Sequence, residues 1–131
     1  MRNSNKGGCM VENPDVNKKF TKEINSGVTS LVLLSVMEQA EEPLYGYQIT
    51  KLLESFVDEN SEFKQGTLYP VLRSLEKNGL LESNVEPSAS GPPRRYYRIT
   101  KFGQQTLANW RTIWGQTRSF VENVLDGDVH E

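Results

Sequence analysis

The chain has 131 residues, of which 36% are hydrophobic and 24% charged, so it holds enough apolar material for one small core and none for a second. A single cysteine, Cys9, and a single histidine, His130, exclude an internal disulfide, a Cys/His metal cluster and a Cys–His or Ser–His pair in a packed site. The net charge of −2 conceals an asymmetry: residues 64–101 carry seven basic and three acidic side chains, net +4, which leaves −6 for the remainder. A basic block on an acidic body fits a compact nucleic-acid surface on an otherwise repulsive molecule; the plainer reading is ordinary scatter of charge.

Residues 1–17 are polar and aperiodic, with four asparagines, Gly7-Gly8 and Pro14, and are expected to form a disordered tail. From Lys18 onward a helical period begins. Phe20, Ile24, Val28, Leu31, Val32 and Val36 keep the 3–4 spacing of one face. Leu33, Leu34 and Met37 make the later part apolar on several sides, which in so small a chain suggests burial against a second copy. Ser26 and Gly27 weaken this helix and are expected to bend or interrupt it. Its longest apolar run, Leu31–Met37, is far below the roughly 20 residues that span a bilayer. No membrane partner is expected, and with no secretion pattern at the start the expected compartment is the cytoplasm.

Glu41-Glu42-Pro43 reads as a stop and restart. A second helix is predicted from about Leu44 to Phe56, with Tyr45, Ile49, Leu52, Leu53 and Phe56 on one face, followed by a polar break at Asp58–Ser61. The third helix has the clearest signal. Leu68, Val71, Leu72 and Leu75 stand at i, i+3, i+4 and i+7, and the opposite face carries Gly66, Pro70, Arg73 and Lys77. Because Pro70 is tolerated best in a first turn, the start is placed near Gln65 to Thr67, with Thr67 as a candidate cap. Asn78-Gly79 ends the helix.

Leu80–Glu86 and Arg94–Thr100 read as two strands around a loop, Pro87–Pro93. On the second strand Tyr97 and Ile99 share one side, Tyr96 and Arg98 the other. Phe63-Lys64 is a candidate third strand, and Arg98 a candidate partner of Glu82 or Glu86. A last helix runs from Lys101 to about Leu125. Its seam of Leu107, Trp110, Trp114, Thr117, Val121 and Val124 is heptad-like, and Asp126-Gly127-Asp128 closes it.

The expected fold is mainly α with a small β-hairpin wing, a winged helix-turn-helix followed by a C-terminal dimerisation helix. Residues 1–17 form the tail, 18–100 the DNA-binding domain and 101–126 the dimerisation helix. In this layout the third helix locks its apolar face onto the first two and offers its polar face to the major groove, while the hairpin lies along the phosphate backbone. Three ordered segments strengthen the reading: Leu44-Tyr45-Gly46-Tyr47-Gln48-Ile49, Gly66-Thr67-Leu68-Tyr69-Pro70 continuing to Leu81, and Gly91-Pro92-Pro93-Arg94-Arg95-Tyr96-Tyr97-Arg98-Ile99-Thr100. Together they resemble the PadR family of bacterial and archaeal transcriptional regulators. The resemblance implies a dimeric winged-helix repressor whose dimer is built by the C-terminal and N-terminal helices, with Tyr69-Pro70 in the recognition helix. One departure is visible. Family members often place a basic residue directly after the wing glycine, and here Pro92 follows Gly91, which removes one phosphate contact and stiffens the wing.

Candidate DNA-binding residues are therefore Lys64, Gln65, Thr67, Tyr69, Arg73, Lys77, Arg94 and Arg95, contacting double-stranded DNA. Lys64 suits a backbone contact, Tyr69 either DNA or packing beneath the wing, and Arg94 and Arg95 phosphates. Gly46 reads as a site of close helix approach. Trp110 and Trp114, one turn apart, read as the core of a homodimer interface. Some drug-responsive members of the resembled family bind flat aromatic compounds between tryptophans, so a small aromatic effector is the other reading of the pair. The predicted function is a sequence-specific regulator acting as a homodimer on a palindromic operator. The alternative is a winged-helix docking module for another protein, and the inventory argues against an enzyme and calls for no cofactor.

Overall fold

In the computed structural model, which describes residues 14–56 and 65–127, the N-terminal helix α1 (Pro14–Gln39) begins four residues earlier than the periodicity places it. Pro14 is pre-set for a first helical turn and Asp15 complements the positive end of the helix dipole, so residues 14–17 belong to the helix, not to the tail. Residues 1–13, with Cys9, lie outside the described residues. Gly27 does not interrupt α1, which runs unbroken for 26 residues.

The segment after Pro43 departs from expectation. Leu44–Tyr45 form a short strand, β1, and α2 (Gly46–Glu54) starts only at Gly46. The cause is tertiary: β1 lies antiparallel against a strand some fifty residues later, with Leu44 opposite Tyr97 and Tyr45 opposite Tyr96. The amide of Tyr45 donates to Gln48 Oε1 at 3.1 Å, closing the first turn of α2. Ile49 and Leu53 are buried on α2, whereas Leu52 and Phe56 are exposed. The proposed break at 58–61 and the candidate strand at Phe63-Lys64 lie outside the described residues; the third strand of the sheet is β1.

Helix α3 (Gln65–Lys77) buries Leu68, Leu72 and Leu75 and half-buries Val71, as the stripe requires. Thr67 is its third residue, so it is not the cap, and Pro70 is its sixth. With no N–H at position 70, the Gly66 carbonyl lacks its usual i+4 donor. Gly79 ends the helix at φ 83°, a left-handed value that glycine adopts without Cβ strain. The wing follows as β2 (Leu81–Ser88) and β3 (Gly91–Ile99), in the order β1-β3-β2. Only Ala89-Ser90 separate the two long strands, a tighter turn than the predicted loop. Pro87 sits at the register shift between Glu86 and Ser88, a place where its missing donor is tolerated.

Helix α4 (Lys101–Asp126) is capped by Thr100, whose Oγ1 accepts from the Gly103 amide at 2.9 Å, and ends at Gly127 with φ 72°. Leu33, Leu34 and Met37 of α1, Ile49 and Leu53 of α2, the α3 stripe, Leu80, Leu81, Tyr97 and Leu107 make one core. The architecture is a winged helix-turn-helix with an added C-terminal helix. Among the described residues no helix is long and apolar enough to cross a membrane.

Candidate nucleic-acid interface

Burial of one side of α3 fixes what the other side presents. Thr67, Pro70, Arg73 and Lys77 are exposed on the outer face, and neither Arg73 nor Lys77 has an ion-pair partner among the described residues. Gln65 opens the helix; Lys64 lies outside the described residues. Tyr69 is half-buried on the flank. Its ring and hydroxyl lie so close to Gly46 that a Cβ at position 46 would collide with them. Gly46 is thus a point of close helix approach, and Tyr69 helps to lock α3 onto the start of α2.

The alternation of β3 sends the two wing arginines to opposite faces of the sheet. On the outer face Arg94 lies over the ring of Tyr45, 4.4 Å from its centroid. Tyr45 in turn meets Tyr96 edge-on at 5.3 Å and stacks with Tyr47 at 6.4 Å. Arg98, on the same face, pairs with Glu82 at 3.7 Å. Arg95 shares the other face with Tyr97. Its Nη1 donates to Ser83 Oγ at 3.0 Å, and the Ser83 hydroxyl donates to Glu76 Oε2 at 2.7 Å. A recess of about 490 Å³ results between α3 and the wing, lined by Tyr69, Arg73, Glu76, Arg95 and Tyr97. Burial, and secondarily the Glu76 carboxylate, raise the pKa of Tyr97 above the ordinary tyrosine value, so its hydroxyl stays protonated at neutral pH.

The candidate set therefore separates. Arg73 and Arg95 come together at one recess, Thr67 and Lys77 flank them along α3, and Arg94 is held apart against Tyr45. Glu76, Ser83 and Tyr97 were not among the candidate site residues, although Tyr97 was assigned a face of its strand. Extending the period-2 rule from Tyr97 back to Arg95 and across to Ser83, opposite Tyr97 in the β2–β3 register, would have found two of the three.

A second concavity lies between the middle of α1 and the stretch of α4 from Trp110 to Leu125. It encloses about 770 Å³ and is lined by Ile24, Val28, Leu31, Trp110, Trp114 and Val121, among others. Trp110 is half-buried against the core, but Trp114 is 43% exposed, and Phe20 and Ile24 of α1 are also open. Arg111 of α4 bridges to Glu38 of α1 at 2.9 Å.

Comparison with known proteins gives a consistent picture. Residues 33–109 match the family described as transcriptional regulator PadR-like. A PadR family transcriptional regulator from Eggerthella lenta is 32% identical, with a TM-score of 0.70 over 85% of this chain and 93% of its own. A PadR-like transcriptional regulator from Bacillus cereus is 30% identical, with a TM-score of 0.65 over 81% of this chain and 99% of its own. A protein of Lysinibacillus sphaericus named only as uncharacterized is 27% identical over 104 residues, 79% of this chain and 93% of that one.

Proposed function

The chain belongs to the PadR-like family of transcriptional regulators, and from that premise we propose that it acts as a homodimeric repressor on a palindromic operator. The exposed cationic face of α3, with Arg73 and Lys77 lacking ion-pair partners among the described residues, carries the reading. Its inner face is locked into the core, so the outer face is rigidly presented to a major groove. A second copy related by a two-fold axis would bring a second α3 to a half-site one helical turn away, about 34–36 Å. The α1–α4 groove, apolar and flanked by exposed Phe20 and Val124, is the surface such a copy would cover. In this assignment Thr67, Gln65 and Tyr69 meet the groove or its edge, Lys64 and Arg95 meet phosphates, and Arg94 contributes mainly by holding the wing to Tyr45. The two tryptophans also suit a flat aromatic effector, which would stack between them and shift the spacing of the two reading heads.

The test is binding to duplexes selected from a random pool, followed across a salt series. Affinity should fall steeply with rising salt, as phosphate contacts release counterions. Weak, sequence-blind binding without that slope would favour a protein-docking module instead. Arg73 is expected to contribute about 1–3 kcal/mol of operator binding, so Arg73→Ala should weaken the complex by that amount; an unchanged operator affinity removes it from the interface. Arg94→Ala should leave the salt slope intact and cost about 0.5–1 kcal/mol of stability in a denaturant melt, the value of an exposed cation–π contact.

A further inference from the structure

The recess between α3 and the wing contains one group that the fold does not explain. Tyr97 is only 2% exposed, yet its hydroxyl makes no hydrogen bond to any described residue and lines the recess beside Arg73 and Arg95. Buried hydroxyls are ordinarily paired, because an unpaired one forfeits its hydration without return. The hydroxyl is protonated at neutral pH and its proton has no acceptor among the described residues, so an acceptor entering the recess would satisfy it. Arg73 and Arg95 supply positive charge at the same place, and Arg95 is held there from behind. Ser83 accepts from its Nη1, and the Ser83 hydroxyl is itself fixed by Glu76. Arg95 makes no ion pair among the described residues, so its remaining guanidinium donors are available to a ligand. Glu76, the one acidic member of the lining, has its carboxylate turned to Ser83.

We propose that this recess is the seat of a single DNA backbone phosphate, bound by the Tyr97 hydroxyl together with Arg73 and Arg95, with Ser83 and Glu76 as positioning residues for Arg95. The inference rests on the DNA-binding reading and deepens it. Wing and reading helix would then grip the same phosphodiester, fixing the angle at which α3 enters the groove. A phosphate contact carries no base information, so its loss weakens all sequences alike.

Fluorescence anisotropy with a selected duplex and a scrambled duplex, over a salt series, tests the seat. Tyr97→Phe should raise Kd about tenfold on both duplexes, the loss of one charge-assisted hydrogen bond. It should leave the salt slope and the melting temperature unchanged. Arg95→Ala should weaken both duplexes and reduce the slope by about one. Ser83→Ala should raise Kd by a smaller factor with the slope retained, since the charge persists but is no longer pre-organised, and Ser83→Thr should restore binding. Wild-type affinity in Tyr97→Phe, beside a weakened Arg73→Ala, overturns the seat while leaving the regulator reading intact. So does a Tyr97→Phe penalty that differs between the duplexes, which marks a base contact, or a fall in its melting temperature, which marks an internal role for the hydroxyl. If Tyr97→Phe abolishes stabilisation by inorganic phosphate yet binds duplex normally, the recess serves a free anion and the proposal fails. Failure of the wild-type protein to bind any duplex would instead overturn the regulator reading itself.

Discussion

Gly103→Ala is expected to destabilise the protein by about 2–3 kcal/mol, a large effect for one methyl group. Gly103 is buried at the first turn of α4, and a Cβ there would collide with the Leu80 carbonyl oxygen and come within 2.8 Å of Ile99 Cγ1. Neither neighbour can easily yield. The Leu80 carbonyl receives the Thr100 amide at 3.0 Å and sits at the root of the wing. Ile99 belongs to β3, the central strand of the sheet. Moving either one tilts α4 or opens the wing, so relaxation transfers the damage without removing it. Denaturant titration at fixed protein concentration measures the loss, the fixed concentration being needed because any dimer is stabilised by mass action. An unshifted midpoint would mean that α4 does not rest on the wing as described.

The double substitution Trp110→Ala, Trp114→Ala should convert a dimer to monomers in sedimentation at micromolar concentration. Truncating a buried tryptophan typically costs about 3–5 kcal/mol, and a two-fold interface would carry both residues twice. Even a fraction of that sum raises the dissociation constant more than about a hundredfold. Trp114 should contribute more of the change to assembly, since it stands exposed in the single chain, whereas Trp110 also packs on the core. A double variant that sediments as a dimer but no longer binds a planar aromatic dye would assign the pair to an effector pocket.

What could be read in the sequence was whatever depends on short-range period. The Leu68–Leu75 stripe, the aromatic and β-branched strand ending at Ile99, and the long seam through Leu107 each repeat within one element and were legible. The tail boundary was not, because Pro14 and Asp15 are start signals of backbone geometry and charge, with no apolar period to flag them. Leu44–Tyr45 escaped for a different reason. Two residues cannot display a strand period, and their spacing to Ile49 and Leu53 suits a helix; only the unpaired edge of β3 makes them a strand. The site shows the same division. Arg73 and Lys77 followed from the stripe they oppose, but the Glu76–Ser83–Arg95 relay joins a helix to both strands of the wing, and no local pattern encodes it. Thr67 was misplaced as a cap because Pro70 was given too strict a position: it stands sixth in α3 instead of within the first turn.

Thr100 has a consequence for how motion would propagate. Its hydroxyl proton is shared between the carbonyls of Gly79 at 2.7 Å and Leu80 at 3.2 Å, while its oxygen receives the Gly103 amide. One side chain thus welds the exit of α3, the base of the wing and the first turn of α4. Twenty-six residues of α4 make a rod about 39 Å long, and with no slack at the weld that rod is a lever. Turning the rod by about 5° about its far end carries the welded end by about 3 Å, comparable to the rise between stacked base pairs.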